Sequence, residues 1–167
     1  MRCFVALGSN LGDRLLNLSE ARRQLALLGP HRAGPIVETE ALLPPGDRTP
    51  QPHYLNSVDE LEVELSALDL FHELKRIERR MGRVVTTRWA PRIIDLDLLL
   101  FGEQILQTSE LTVPHASMHA RRFVLEPLAR LAPNAWHPVL KKTARELFDS
   151  LSLRERGEGQ GRGASRR

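Results

Sequence analysis

Cys3 is the only cysteine in the chain, so no internal disulfide can form, and this usage agrees with a reducing compartment. It lies in the first apolar run, where it reads as core filler. No apolar segment reaches the length of a membrane span, and the N-terminus lacks the basic region, apolar stretch and small-residue cleavage site of a secretory signal. The expected compartment is the cytoplasm. The chain also lacks a Walker pattern and a G-x-G-x-x-G fingerprint, so Gly8-Ser9-Asn10 reads on spacing alone as a tight turn. Six histidines are scattered without zinc-ligand spacing, so no zinc site is expected. Aromatic residues make up 5% of the chain, too few for a sheet that stacks nucleic-acid bases.

Basic character is nearly absent as well, once position is taken into account. The formal net charge is +3, but residues Arg154 to Arg167 hold five arginines and two glutamates. Of the 24 basic and 21 acidic residues, the body therefore keeps 19 of each. A neutral body argues against a nucleic-acid partner, and its basic groups matter by placement. With 167 residues and 41% hydrophobic composition, one domain with a sizeable core is the default, over residues 1–153. The Gly/Arg-rich stretch 154–167 has nothing to bury and reads as a disordered tail.

The chain alternates strand and helix patterns. Cys3 to Leu7 reads as a buried strand, and Leu11, Leu15, Leu18, Leu25 and Leu28 then recur at helical spacing up to a Gly29-Pro30 stop. A second strand is expected over Ile36 to Ala41, followed by a long Pro/Gly-rich loop from Leu43 to Pro52. Leu61, Val63 and Leu65 alternate with Glu60, Glu62 and Glu64, the pattern of a strand with one face in water. Ser66 is placed to start a helix with the stripe Leu70, Leu74, Ile77 and Met81, and Gly82 to end it. Glu78 borders that stripe near the helix end, where the dipole disfavours a carboxylate; it is either a surface ion-pair partner or part of a site.

Arg83 to Thr87 reads as a mobile connection suited to a lid. After Phe101, Gly102-Glu103 makes a turn, Ile105-Leu106 returns as an edge strand, and Leu111 to His115 is extended. Pro127 fits the start of a short helix reaching Leu131, and Thr143 with Glu146 makes a capping box for a last helix carrying Ala144, Leu147, Phe148 and Leu151. Strand, helix, strand, strand, helix, strand is the split βαβ order of a ferredoxin-like α+β sheet (βαββαβ), here with additional C-terminal helices.

The organising stretch is Arg88-Trp89-Ala90-Pro91-Arg92 followed by the apolar strand Ile93 to Phe101, which carries Asp95 and Asp97. Alternation points Ile93, Asp95, Asp97, Leu99 and Phe101 one way and Ile94, Leu96, Leu98 and Leu100 the other. Two adjacent carboxylates on a strand covered on both faces cannot both stay ionised without positive charge between them. A plain ion cluster with Arg88 or Arg92 would satisfy this, and so would a divalent cation. Two carboxylates leave most of an octahedral Mg²⁺ shell open for substrate phosphates, and the arginines and indole just upstream suit a nucleoside triphosphate.

The motif Arg88-Trp89-x-Pro91-Arg92-x-x-Asp95-Leu96-Asp97 resembles one family, the 6-hydroxymethyl-7,8-dihydropterin pyrophosphokinases. Leu7-Gly8-Ser9-Asn10, Tyr54-Leu55-Asn56, Leu111-Thr112-Val113-Pro114-His115 and Arg121-x-Phe123 carry the same resemblance, from about Phe4 to the last helix. It implies transfer of pyrophosphate from ATP to the pterin hydroxymethyl group with release of AMP, in folate biosynthesis, with two Mg²⁺ ions held by Asp95 and Asp97.

By the same resemblance, Arg83, Arg88, Arg92, His115 and Arg121 face the phosphates, with Arg83 and Arg92 counted beside the two aspartates as catalytic. Glu78, Trp89, Leu111 and Thr112 complete the nucleotide site. The pterin is expected between Tyr54 and Phe123, read at its edge by Asn56 with Asp95, in a pocket shaped by Gly8, Leu43, Pro44 and Gly46. ATP and a reduced pterin are the implied partners, with no nucleic acid and no membrane, and the chain is expected to be a monomer. Val84-Val85-Thr86 stands where the family carries a second lid arginine, Glu110 and Ala116 where it often has a basic and an aromatic residue, and Leu43 where threonine is common before Pro44. Two alternatives from other classes are a metal-dependent phosphoester hydrolase using the aspartate pair and a non-catalytic nucleic-acid-binding module on the same sheet.

Overall fold

Apolar runs that alternate with amphipathic helical patterns fold into one mixed α/β body in the computed structural model, which describes residues 1–43, 45–46, 49–83 and 90–161, with side chains through Arg156. The elements are β1 (Arg2–Ser9), α1 (Arg14–Leu25), β2 (His31–Arg32), β3 (Val37–Thr39), β4 (Tyr54–Glu62), α2 (Ala67–Arg80) and β5 (Asp95–Phe101). They continue as β6 (Leu106–Gln107), β7 (Thr112–Val113), a 3₁₀ turn (Met118–Ala120), α3 (Arg122–Leu131), β8 (Trp136–His137), β9 (Lys142–Thr143) and α4 (Ala144–Gly161). Pro44, the stretch 84–89 with its expected lid, Arg88 and Trp89, and residues 162–167 lie outside the described residues.

The central sheet is antiparallel throughout, with β5 at one edge, β1 and β4 inside, and the short β2 and β3 both pairing with β4 on the far side. α1 and α2 cover one face, where Leu18, Ala21 and Leu25 meet Leu70, Leu74 and Ile77 over Cys3, Val5 and Leu7. α3 covers the lower part of the other, packing Val124 and Leu128 with Met118 on Phe4, Val58, Leu99 and Leu100. Above α3 the described residues leave that second face open, and a cleft lies there.

The register of β1 against β5 shifts by one residue, Phe4 facing Leu100 but Val5 facing Leu98. This bulge overturns part of the expected alternation. The extra residue sends Leu99 and Leu100 to the α3 side together and returns Phe101 to the α1/α2 side, so Phe101 does not share the aspartates' face.

Other boundaries differ for local reasons. α1 begins at Arg14, capped by Asp13 through Leu16 N (3.0 Å), so Leu11 precedes it and Leu15 is exposed, the inward positions being Leu18, Ala21 and Leu25. β4 starts at Tyr54 and is covered on both faces, with Val58 and Asp59 both fully buried; Val63 and Leu65 lie past its end. The second strand shrinks to β3 (Val37–Thr39), and Ile105 stays outside β6. Pro127 sits in the interior of α3, six residues in, where its missing N–H leaves the Phe123 carbonyl without the usual helical donor.

The capping box forms as expected, Thr143 N donating to Glu146 Oε2 (2.7 Å) and Glu146 N to Thr143 Oγ1 (3.2 Å). α4 then runs past Leu153 to Gly161, so disorder from Arg154 onward does not describe 154–161. Arg122 on α3 reaches Glu155 (2.9 Å), a partner that composition alone could not reveal. No helix among the described residues is long and apolar enough to cross a membrane.

Candidate active site

Strand alternation brings the site together. Ala6 and Gly8 on β1, Tyr54 and Asn56 on β4, and Asp95 and Asp97 on β5 line one cleft on the open sheet face. The N-terminal end of α3 closes one side with Arg121 and Phe123, and Arg92 enters from the segment before β5. The Arg121 guanidinium lies 5.8 Å from the Phe123 ring centre, so one cation borders the aromatic wall.

Gly8 is required here by space. A Cβ at this position would stand 3.0 Å from Asn56 Oδ1 and 3.5 Å from the Tyr54 ring, so any side chain would press on the amide. Asn56 is held by its Nδ2 donating to Thr39 Oγ1 (2.8 Å) on the neighbouring strand. Asn10, itself buried, ties the approach to β5: its Oδ1 accepts from Arg92 N (2.8 Å), its N donates to Arg92 O (3.1 Å), and its Nδ2 donates to Pro52 O (3.2 Å).

The two aspartates are ringed by cations. Asp95 accepts from Arg83 (2.7 Å) on one oxygen and Arg92 (2.7 Å) on the other. Asp97 lies 3.5 Å from Lys75, which also donates to Glu78 (2.9 Å) and to the carbonyl of Leu96 (2.8 Å). Glu78, 3% exposed, accepts from Leu96 N (2.6 Å) and pairs with Arg83. Burial alone would raise the Asp95 carboxyl, but Arg83 and Arg92, with Lys75, outweigh it and hold Asp95 below the usual carboxylate range. For Glu78, burial prevails over Lys75, the Leu96 N–H and Arg83, and its carboxyl stands above its ordinary value.

His115 packs near this group. Its backbone N donates to Leu99 O (2.9 Å) and its Nδ1 accepts from Ser117 N (3.2 Å), while burial lowers its pKa against the pull of Asp97. Burial likewise raises the Tyr54 hydroxyl. The remaining sequence candidates are placed elsewhere. Leu111 is buried in the core beneath α2, Thr112 is exposed on β7, and neither Leu43 nor Gly46 reaches the cleft wall, where Leu42 lies instead. Sequence reading did not single out Lys75 or Thr39. Lys75 carries one faint signal, its place three residues before Glu78 on the same helix.

The donor chemistry fits a hard divalent cation. Among the described residues no cluster of three or more His, Cys, Asp or Glu side chains forms, so any such ion would rest on Asp95 and Asp97 and take its other oxygens from a ligand. The two side chains are 24% and 34% exposed toward the cleft, open enough to be reached. A carboxylate pair with four cations at hand, beside an aromatic and amide wall, is an arrangement for handling a polyphosphate next to a planar polar ring.

Comparison with known proteins agrees. The family model described as 7,8-dihydro-6-hydroxymethylpterin-pyrophosphokinase (HPPK) matches residues 4–133. The 2-amino-4-hydroxy-6-hydroxymethyldihydropteridine pyrophosphokinase of Haemophilus influenzae is 41% identical over 156 residues, covering 90% of this chain and 96% of the relative. That of Pseudomonas aeruginosa is 43% identical over 136 residues, covering 80% and 82%. The chain belongs to the 7,8-dihydro-6-hydroxymethylpterin-pyrophosphokinase family. Its backbone also overlays the Plasmodium falciparum HPPK-DHPS crystal structure with pteroate, with a TM-score of 0.73 at 14% identity, a likeness of fold. The overlay covers 95% of this chain and 46% of that one, so the chain spans less than half of those longer proteins.

Proposed function

We infer that this cleft is where the chain carries out the reaction of its family, pyrophosphoryl transfer from ATP to the hydroxymethyl group of 6-hydroxymethyl-7,8-dihydropterin in folate biosynthesis, with AMP as the other product. The observation that carries the reading is that two independent residue sets meet in one cleft. Gly8, Tyr54, Asn56 and Phe123 form a wall for a flat, hydrogen-bonding ring, and Arg92, Asp95, Asp97 and Arg121 form a charged wall for phosphates.

The pterin hydroxymethyl oxygen forms a bond to the β-phosphorus and releases its proton to solvent, while the bond from that phosphorus to the α-phosphate oxygen breaks and that oxygen leaves with AMP. Such a transfer needs alignment and charge neutralisation more than a covalent nucleophile. Mg²⁺, two ions in this reading, would be held by Asp95 and Asp97 and would supply charge compensation to the triphosphate. Arg92 and Arg83, already on Asp95, stand where they can turn to phosphate oxygens, and Arg121 and His115 border the same mouth. Glu78, Arg88, Trp89, Leu111 and Thr112 are assigned to the nucleotide side, and Leu43, Pro44 and Gly46 to the pterin side, by family resemblance.

The strand order supports a ferredoxin-like description of the sheet. We further propose a single catalytic domain over residues 1–153 that works as a cytoplasmic monomer without a nucleic-acid partner.

Changing Asn56 to Ala tests the division of labour. It strips the cleft of the amide that would face the ring edge, a loss of about 1 to 3 kcal/mol in pterin affinity, with affinity for MgATP unchanged. Calorimetric titration with each ligand checks both halves, and an equal loss for both would contradict the assignment.

A further inference from the structure

Among the described residues β5 is an edge strand, paired with β1 alone, so the peptide groups on its outer side meet no further described strand. At Leu96, the residue between the two aspartates, both outer groups are taken by side chains of α2. Leu96 N donates to Glu78 Oε1 (2.6 Å) and Leu96 O accepts from Lys75 Nζ (2.8 Å). Lys75 and Glu78 also pair with each other (2.9 Å), so the two side chains act as one rung of a missing neighbour strand. Each then extends to an aspartate. Glu78 reaches Asp95 through Arg83, and Lys75 lies 3.5 Å from Asp97.

We propose that Lys75 and Glu78 are positioning residues: together they fix the peptide of Leu96 and thereby the separation and aim of the Asp95 and Asp97 carboxylates toward a divalent cation. Glu78 is 3% exposed and its Oε1 already serves three donors, Lys75, Arg83 and the Leu96 N–H. These contacts tie β5 to α2. The inference rests on the reading of Asp95 and Asp97 as the metal-binding pair.

A charge role and a positioning role predict opposite signs. If Lys75 only opposed the cation, its removal would make Mg²⁺ bind more tightly. If it positions the strand, removal makes Mg²⁺ bind more weakly, by roughly 10-fold as is usual for groups that orient metal ligands. The experiment uses the full chain and titrates Mg²⁺ against binding of a non-hydrolysable ATP analogue by calorimetry, for the parent, Lys75→Met, Glu78→Gln and the double variant. Pterin affinity and melting temperature are measured alongside.

The expected result is a Mg²⁺ midpoint raised about tenfold in each single variant. The double variant should be no worse than the poorer single one, because both changes break the same unit, and pterin affinity should stay within about twofold of the parent. Glu78→Gln keeps the side chain's size but removes the charge that pairs it with Lys75 and, through Arg83, with Asp95, so it decides the matter if Lys75→Met does not fold. A midpoint unchanged or lowered in folded variants, or effects that simply add, would overturn the proposal. Absence of Mg²⁺-dependent binding in the parent would instead sink the reading of the aspartates.

Discussion

Changing Asp97 to Ala is expected to abolish Mg²⁺-dependent binding of a non-hydrolysable ATP analogue and to lower turnover by roughly 10³-fold or more. The carboxylate is one of two that a cation could use, and without it the triphosphate charge is left uncompensated where transfer takes place. The fold should survive. Asp97 is partly exposed and Lys75 keeps both Glu78 and the Leu96 carbonyl, so no buried charge is stranded. Melting temperature should therefore stay within a few degrees of the parent, and pterin should still bind in calorimetry. A variant that binds MgATP normally and turns over within about tenfold of the parent would remove β5 from the metal site.

The largest expected loss of stability comes from a different face of the sheet. Asp59, fully buried on β4 beneath α1, accepts from Arg22 on both oxygens (3.0 Å each), from Gly34 N (3.1 Å) and from Ser57 Oγ (3.0 Å), and meets His31 Nε2 (2.8 Å). Asp59→Ala leaves Arg22 without its counter-charge and the Gly34 N–H without an acceptor. Removing one partner of such a buried cluster costs about 3 to 5 kcal/mol, and in a chain of this size that lowers the melting temperature by roughly 6 to 20 °C. Pterin affinity below that temperature should hold, because Asn56 lies on the opposite face of β4. A fall of less than about 2 °C in thermal unfolding would show that the cluster stabilises far less than its geometry implies.

Asp59 also shows why the fold was only partly legible. Its strand carries Asn56, Ser57 and Asp59, all buried, so the apolar alternation that marks strands begins only at Glu60 and Leu61 and hides where β4 starts. The polar residues are affordable there because Arg22, Gly34 and Thr39 come from distant parts of the chain to meet them. Where packing alone decided, pattern was enough. Ser66, the stripe Leu70, Leu74 and Ile77, and Gly82 at φ 88° mark α2 from cap to stop. The bulge opposite Phe4 could not be foreseen, since Leu98 to Phe101 are uniformly apolar and carry no signal of which face each takes.

The candidate site divides in the same way. Asp95 and Asp97 stand out because carboxylates are anomalous in a buried strand, whereas Gly8, Tyr54, Asn56, Phe123 and Arg121 are reached only through the family resemblance of their motifs, and the fold gathers them into one cleft. Lys75 gave only the faint signal of its spacing to Glu78. A lysine on a helix surface is ordinary, and only the edge position of β5 turns it toward the Leu96 carbonyl and Asp97. Leu111 shows the converse: it lies in a recognisable motif, yet its side chain fills the core.

The central claim is that the β-phosphorus is attacked and a pyrophosphoryl group moves as a unit. Incubating the chain with ATP, Mg²⁺ and 6-hydroxymethyl-7,8-dihydropterin and resolving the nucleotides tests this directly. The account predicts AMP in stoichiometric amount with the pterin diphosphate and no nucleotide turnover when the pterin is left out; ADP as the stoichiometric product, or steady release of product without pterin, would contradict it.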